Sequence, residues 1–229
     1  VFTIDQQNWK LLYDIYGNIF YNNGRSGLAI HPYNSYAAGT RFNIYNNTFV
    51  NNCTAGGDET RGDVELDKDS INTTVDVANN LIYHNDYGNT VGFAVDYGFN
   101  GTVTHSNNLY WHAGGTNRNV ILHGQTYTVA KATAYEPSAQ NTDPQLINRS
   151  TPPTSVSFSG GALPDGYNVQ VSSPAIGKGA DLGVLYNMDI NRTTRSGSWT
   201  IGAYQQAIAV PTATPVPRKP KPPKDLRIK

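Results

Sequence analysis

Short runs of alternating polar and apolar residues recur along the first 130 residues of the chain. A Gly-Asn or Asn-Asn pair followed by an apolar core of two or three residues occurs four times. The second residue of the pair is Asn18, Asn47, Asn80 or Asn108, and the spacings are 29, 33 and 28 residues. An alternating run precedes each pair and another follows the motif, as in Phe42-Asn43-Ile44 and Val64-Glu65-Leu66. Because period-2 alternation indicates strands with one buried face, each repeat predicts three short strands.

Repeats of this length, numbered 1 to 4 here after these four asparagines, cannot bury an apolar face alone and must stack. Stacking places equivalent positions about 4.8 Å apart on parallel strands. Asparagine suits the corners, since it tolerates the left-handed backbone region and its amide can hydrogen-bond to the next repeat. The predicted inward columns are Phe20/Phe49/Ile82/Tyr110, Ile15/Ile44/Val77/His105 and Ile30/Leu66/Val95/Leu122.

These repeats resemble the right-handed parallel β-helix of pectate-lyase-like proteins. The second half resembles the closing segment of bacterial secreted β-helix proteins, through Asp143-Pro144, Tyr167-Asn168, Ser173-Pro174-Ala175-Ile176-Gly177-Lys178-Gly179, Asp189, Arg192 and Ile201-Gly202-Ala203-Tyr204. That pattern usually has Asp after Pro-Ala-Ile and Glu after the final Tyr, where this chain has Gly177 and Gln205. The resemblance covers about residues 1–205 and implies architecture far more than activity, because one fold hosts many functions.

The expected fold is therefore all-β: a right-handed parallel β-helix solenoid of about four to five rungs, an irregular C-terminal capping segment and a Pro-rich tail. We expect the rungs in residues 1–140, the closing segment in 141–208 and a basic Pro-rich linker in 209–229. Prolines crowd the linker, which is typical of a semi-rigid spacer. Asp225-Leu226-Arg227-Ile228 resembles the entry to a fibronectin-type-III-like module, which implies further domains of the same polypeptide.

Composition narrows the classes of function. Charged residues make up 15% of 229 residues, and asparagine alone contributes 25 residues, a profile that excludes coiled coils and helical bundles. No apolar run approaches the ~20 residues of a membrane-spanning helix. Residues 218–229 carry six of the 17 basic residues, so residues 1–217 have a net charge of −5. A body of that sign is a poor partner for nucleic acid. The single Cys53 forms no internal disulfide.

The leading candidate for catalysis is a column of outward residues on the third strand of each repeat: His31, Asp67, Asp96 and His123. Two carboxylates on adjacent repeats would lie about 5 Å apart, near the separation in retaining glycosidases. Such a pair raises the pKa of one carboxyl group, as a general acid requires. In this hypothesis Asp67 and Asp96 form the acid/base pair, and His31 and His123 bind or tune. The alternative is a solvated face on which histidines relieve stacked negative charge.

A second candidate is the acidic window at 58–69, which holds six of the 17 acidic residues. Asp63, Glu65 and Asp67 alternate and would share one strand face. Dense oxygen ligands suit Ca²⁺, a cofactor that the resembled family often uses. The alternative is a solvated loop, because no Asp-x-Asp-x-Asp-Gly loop is present and Arg61 and Lys68 are close by.

Aromatic side chains form a third candidate site. Tyr21, Tyr83 and Trp111 follow the inward residue of repeats 1, 3 and 4, and Tyr97 follows Asp96. Outward aromatic rings on a flat sheet can stack on sugar rings, so these four are the expected substrate-binding residues. The alternative is packing beneath a loop or another chain.

Two functions follow as expectations. The first is a secreted, extracellular or cell-surface protein that binds or acts on a polysaccharide; if it is an enzyme, it is a hydrolase or a lyase. The second is a non-catalytic structural or adhesive module that assembles into a homo-oligomer or filament through the solenoid end and the Pro-rich tail. Exposed solenoid ends are sheet edges, which recruit strands from neighbours.

Overall fold

The computed structural model describes residues 2–3, 10–30, 38–53, 62–66, 72–84, 90–91, 94–95, 101–149 and 166–206. The Pro-rich tail at 209–229 lies outside these residues. The strands in chain order are β1 (Phe2–Thr3), β2 (Leu12–Tyr16), β3 (Ile19–Tyr21), β4 (Leu28–Ile30), β5 (Arg41–Tyr45), β6 (Thr48–Val50), β7 (Val64–Leu66), β8 (Thr74–Ala78), β9 (Leu81–His84), β10 (Thr90–Val91), β11 (Ala94–Val95), β12 (Thr102–Ser106), β13 (Leu109–His112), β14 (Asn119–Leu122) and β15 (Gln125–Thr128). Helix in the described chain is one α-helix, α1 (Ala132–Tyr135), and two 3-10 turns, Val129–Lys131 and Val184–Tyr186.

In repeats 1 to 3, the strands of each repeat contribute to three different parallel sheets. Sheet 1 has the order β2-β5-β8-β12, sheet 2 β3-β6-β9-β13 and sheet 3 β1-β4-β7-β11. Neighbours within a sheet come from consecutive repeats, and all of these pairings are parallel. Predominantly parallel β-structure in stacked sheets is therefore confirmed, and the arrangement is compatible with a β-helix-like solenoid.

The register confirms most of the predicted inward columns. Phe20 pairs with Phe49, Phe49 with Ile82 and Ile82 with Tyr110. Ile15, Ile44, Val77 and His105 align in the same way on sheet 1. Apart from His105, the residues of these two columns form the main apolar core together with Ile30, Leu66 and other residues. Aromatic rings stack along these columns, with 4.8 Å between the ring centroids of Phe20 and Phe49.

The third column differs at repeat 4. We expected Leu122 to follow Val95, but β14 pairs with β10, so that Val120 lies opposite Val91. β14 then turns back into β15 as an antiparallel hairpin, with Leu122 opposite Gln125. The sequence of repeat 4 contains an alternating run here, but its register is set by the hairpin rather than by β11.

The asparagine ladder forms as predicted. The Oδ1 of Asn47 accepts hydrogen bonds from the backbone N and Nδ2 of Asn18, at 3.0 and 3.1 Å. Asn80 does the same for Asn47, and Asn108 does the same for Asn80. The residue before each ladder asparagine has a positive φ: Gly17 at 66°, Asn46 at 52°, Asn79 at 59° and Asn107 at 54°. Left-handed backbone and amide ladder thus occupy adjacent positions of one corner.

The segment 166–206 packs on the outer face of sheet 2. Val50, Leu81 and Tyr83 form a second apolar core with residues that include Tyr167 and Ile201. The backbone N of Gly202 donates to the carbonyl of Asn79 at 2.8 Å. Gly202 has a φ of 105°, and a Cβ there would lie 2.9 Å from Thr48 Oγ1, so this close approach requires glycine. These residues, part of the predicted closing segment, therefore cover the outer face of sheet 2.

Candidate functional site

Three of the four residues in the predicted catalytic column follow strands of sheet 3 in the sequence. Ile30 pairs with Leu66, and Leu66 pairs with Val95. These three residues immediately precede His31, Asp67 and Asp96, which lie outside the described residues. The register of the strands leading to these positions is thus the one that the sequence predicted.

His123 does not extend this column, which corrects the predicted alignment. His123 and Gly124 form the two-residue turn between β14 and β15, with φ of 50° and 69°. Two successive positive φ values are typical of a type I′ hairpin turn. The imidazole is exposed and stacks on the Tyr135 ring at a centroid distance of 6.3 Å. Because β14 pairs with β10, His123 belongs to the hairpin and not to the strand ends of sheet 3.

The predicted metal ligands that the structure describes already have protein partners. Asp63 is fully buried, and its Oδ2 lies 2.6 Å from His84 Nε2 while its Oδ1 accepts from Asn52 Nδ2 at 2.7 Å. Glu65 Oε2 accepts from Ser26 Oγ at 2.5 Å. Asp67, the third predicted ligand, lies outside the described residues. Among the residues described, no group of three His, Cys, Asp or Glu side chains is arranged to hold a metal ion.

Asp63 and His84 therefore form a buried polar pair inside the stack. His84 is 3% exposed. Asn52 links the pair to repeat 1, since its side chain also accepts from Asn23 Nδ2 at 2.7 Å. The sequence analysis did not single out this pair. The available signal was His84 itself, since repeats 1 and 2 have asparagine at the equivalent position.

The predicted sugar-binding aromatics lie under the closing segment. Tyr83 has no exposed surface, and the Arg149 guanidinium lies 5.3 Å from its ring centroid. The Tyr21 ring contacts that of Tyr167 at 5.8 Å. The partly buried Trp111 packs against the second apolar core, to which Tyr83 belongs. Tyr97 lies outside the described residues. The structure thus gives Tyr83 a packing role, whereas Tyr21 and Trp111 are partly exposed.

A cluster around Glu136 closes the ladder at repeat 4. Glu136 accepts from the backbone N of Asn108 at 2.7 Å, from its Nδ2 at 3.1 Å and from the Tyr110 hydroxyl at 2.7 Å. It thereby takes the place that the next asparagine would have. Glu136 lies just after α1, and no repeat motif in the sequence marks it.

Burial dominates the electrostatics of this cluster. It raises the pKa of Glu136 and, together with that carboxylate, holds the pKa of Tyr110 well above its ordinary value. Burial, with a smaller contribution from the charge of nearby His123, lowers the pKa of His105 to about 3. His105 Nδ1 lies 3.5 Å from the Tyr110 hydroxyl. The cluster is enclosed, so its chemistry is that of a structural cap.

The closing segment also contains a buried charged side chain, that of Arg195. Its Nη1 donates to the carbonyl of Thr200 at 2.8 Å, and its Nη2 to the carbonyl of Gly202 at 2.7 Å. Burial lowers its pKa to about 10, although the charge of Asp189 opposes that shift. Gln205 Oε1, where the resembled pattern has a Glu, lies 3.4 Å from Nη1. Arg195 therefore holds the loop that carries Gly202 against the sheet.

Comparisons with protein-family models, curated proteins and solved structures found no significant match for this chain. None of the helices in the described ranges is long and apolar enough to cross a membrane.

Proposed function

We propose that this chain is a right-handed parallel β-helix of the pectate-lyase-like kind, secreted to the extracellular space or cell surface, where it binds or cleaves a polysaccharide. The observation that carries the proposal is the register of sheet 3. Ile30, Leu66 and Val95 are paired in line, and continuing that register by one residue would align His31, Asp67 and Asp96.

The spacing of paired strands supports a role for the two carboxylates. Adjacent parallel strands lie about 4.8 Å apart, so aligned carboxyl groups fall near the ~5 Å separation of retaining glycosidases. One would act as nucleophile and the other as general acid, and His31 would bind the sugar or tune their charge. In this proposal Tyr97, directly after Asp96 in the sequence, would be the aromatic residue that stacks on a sugar ring.

The covering of sheet 2 restricts where the polysaccharide would lie. Since the closing segment buries Tyr83 and contacts Tyr21, sugar cannot run along that face. The Tyr186 hydroxyl reaches Asp14 at 2.6 Å and so occupies part of the outer face of sheet 1. The strand ends of sheet 3 therefore remain the favoured location.

Activity and binding on a panel of acidic and neutral polysaccharides test this proposal. We expect reducing ends, or unsaturated products for a lyase, from at least one member of the panel. Asp96→Asn and Asp67→Asn should lower turnover at least a hundredfold with an unchanged circular dichroism spectrum. The matched control is Asp181→Asn, an exposed residue of the closing segment, which should keep full activity. The absence of both binding and turnover across the whole panel would contradict the proposal. Full activity in both Asp variants would also contradict it.

The second candidate function, a structural or adhesive module, is favoured by the outer edges of β2 and β3, with which no described strand pairs and which can bind strands of a different partner. Its assembly through residues 209–229 is tested by deleting 211–229 and measuring the mass in solution. A filament or oligomer that becomes monomeric on deletion supports assembly through the tail. A monomeric parent chain, or an oligomer that the deletion leaves intact, removes that role.

A further inference from the structure

The two ends of the stacked sheets differ in how they are closed. β2 is the outermost strand of sheet 1, and β3 is the outermost strand of sheet 2. No described strand pairs with their outer edges. Sheet 3 extends one strand further, since β1 pairs with β4. Two adjacent parallel edges are thus open on the same side, at repeat 1.

The asparagine ladder has a direction, and its open end is at repeat 1. In each linked pair the earlier asparagine donates and the Oδ1 of the later one accepts. At repeat 4 the two donors of Asn108 are taken by Glu136. At repeat 1 the side chain of Asn18 is exposed, and none of the described residues donates to its Oδ1. The ladder therefore presents an acceptor at this end.

The amide nitrogen of Asn18 also departs from the pattern. In repeats 2 to 4 each ladder Nδ2 donates to the carbonyl three residues before the previous asparagine, namely Ile15, Ile44 or Val77. The Nδ2 of Asn18 donates instead to the carbonyl of Tyr16 in its own repeat, at 3.0 Å. A preceding strand at the same corner would supply the carbonyl that the pattern requires.

Apolar residues at this end are incompletely covered. Phe20 and Tyr13 are partly exposed, whereas Phe49 and Phe42, on which their rings stack, have no exposed surface. Leu12 of β2 is 60% exposed. Another layer on β2 and β3 would bury the rings of Phe20 and Tyr13 as repeat 2 buries their other faces.

We propose that this end binds a further parallel β-strand repeat with an asparagine at the ladder position. That asparagine donates its backbone N and Nδ2 to the Oδ1 of Asn18, and the carbonyl three residues before it accepts from the Nδ2 of Asn18. The flanking strands pair with β2 and β3 and place apolar side chains over Tyr13 and Phe20. This is β-augmentation on two edges at once, and it is independent of the polysaccharide proposal.

A second copy of the chain fits this surface poorly. Head-to-head contact would bring two Asn18 acceptors together without a donor. Head-to-tail contact would need the donors of Asn108, which Glu136 already occupies, and the carbonyl of Gln140 already accepts from the backbone N of Tyr110 at 3.0 Å. The occupant is therefore a repeat whose donor side is uncapped.

A peptide with the sequence of residues 41–52 provides the probe, because it contains the β5 and β6 segments with Asn47 between them. Binding is measured by hydrogen exchange of the backbone amides of β2 that point away from β5. Arg41 N donates to the Leu11 carbonyl and Gly17 N to the Tyr45 carbonyl, so the amides of Leu12, Asp14 and Tyr16 face the open edge. At saturating peptide we expect amide hydrogen exchange at these three positions to slow at least tenfold.

Two single changes serve as controls: the peptide with Asn47→Ala, and the full chain with Asn18→Ala. Each should weaken binding of the peptide at least tenfold, and since Asn18 is exposed, the variant chain should keep its fold. Saturating peptide that leaves these amides unprotected, equal binding by the Asn47→Ala peptide, or equal protection at the β12 and β13 edges would overturn the proposal. Protection of the three amides without peptide, in a dimer or in the monomer, would assign the edge to a second copy or to another part of this chain, and would overturn it too.

Discussion

Asparagine has two different roles at adjacent positions of the repeat. The first residue of the pair adopts the left-handed backbone conformation, which glycine also adopts readily. Gly17 occupies this position in repeat 1. The second residue must be asparagine, because its side chain both donates and accepts between repeats. The sequence predicted the corner and the ladder. It did not separate the two roles, since three of the four pairs read Asn-Asn.

Buried aromatic residues make the inward columns sensitive to truncation. Phe49 is fully buried between the rings and strands of neighbouring repeats, and Phe20 is only partly buried. Phe49→Ala should lower the free energy of unfolding by about 3–5 kcal/mol, as expected for large-to-small changes in a core. Phe20→Ala should cost clearly less. Urea unfolding of both variants checks this, and equal losses would mean that Phe20 is covered as completely as Phe49.

His105 predicts a pH dependence of stability. Its pKa is about 3 in the folded chain and about 6.5 when unfolded, so the unfolded state binds the proton first as the pH falls. Stability from this residue is complete above pH 6.5 and is lost as the pH falls toward 3, by at most about 1.4 kcal/mol per pH unit. The neighbouring Glu136 has a raised pKa, and therefore opposes this trend.

The variant His105→Leu isolates this contribution, since leucine suits a column that otherwise holds Ile15, Ile44 and Val77. We expect its stability, measured by urea unfolding between pH 7 and pH 4, to fall less steeply than that of the parent chain. Parallel curves for the two proteins would refute the assignment.

At the scale of elements, the strands were predictable and the caps were not. Alternation with a period of two marked β2, β5, β8 and β12, whose pairing follows the repeat. The hairpin of β14 and β15 was missed because Val120-Ile121-Leu122-His123 fits the pattern of a third strand ending at His123. Glu136 was missed because a ladder cap is defined by its position in space and not by a repeat in sequence.

Glu136, which caps the ladder directly after α1, gives a prediction about stability. Glu136→Ala removes an acceptor that serves three buried donor groups, two on Asn108 and one on Tyr110. Because each buried donor left unsatisfied costs about 1–3 kcal/mol, we expect a loss of at least 3 kcal/mol in the free energy of unfolding. Glu136→Gln keeps one acceptor oxygen and should lose less. Similar losses in the two variants would argue against capping by the carboxylate.

For the whole molecule, the parallel stack was predictable from the repeats, whereas the face on which residues 166–206 pack was not. The candidate site was predictable only in part. The register places the residues before His31, Asp67 and Asp96 in line, but burial of Tyr83 and Asp63 depends on which chain segments cover them. Alternation identifies two faces of a strand and cannot say which outer face another segment will cover.

The central claim is that consecutive repeats stack in the register that the ladder defines. Amide hydrogen exchange in the variant Asn80→Ala tests it most directly, because the backbone N of Asn47, 33 residues earlier, donates to Asn80 Oδ1. The account predicts that exchange of the Asn47 amide accelerates selectively, while the adjacent Thr48 amide, which donates to the carbonyl of Asn18, keeps its protection. An Asn47 amide whose protection is unchanged relative to that of Thr48 would contradict the account.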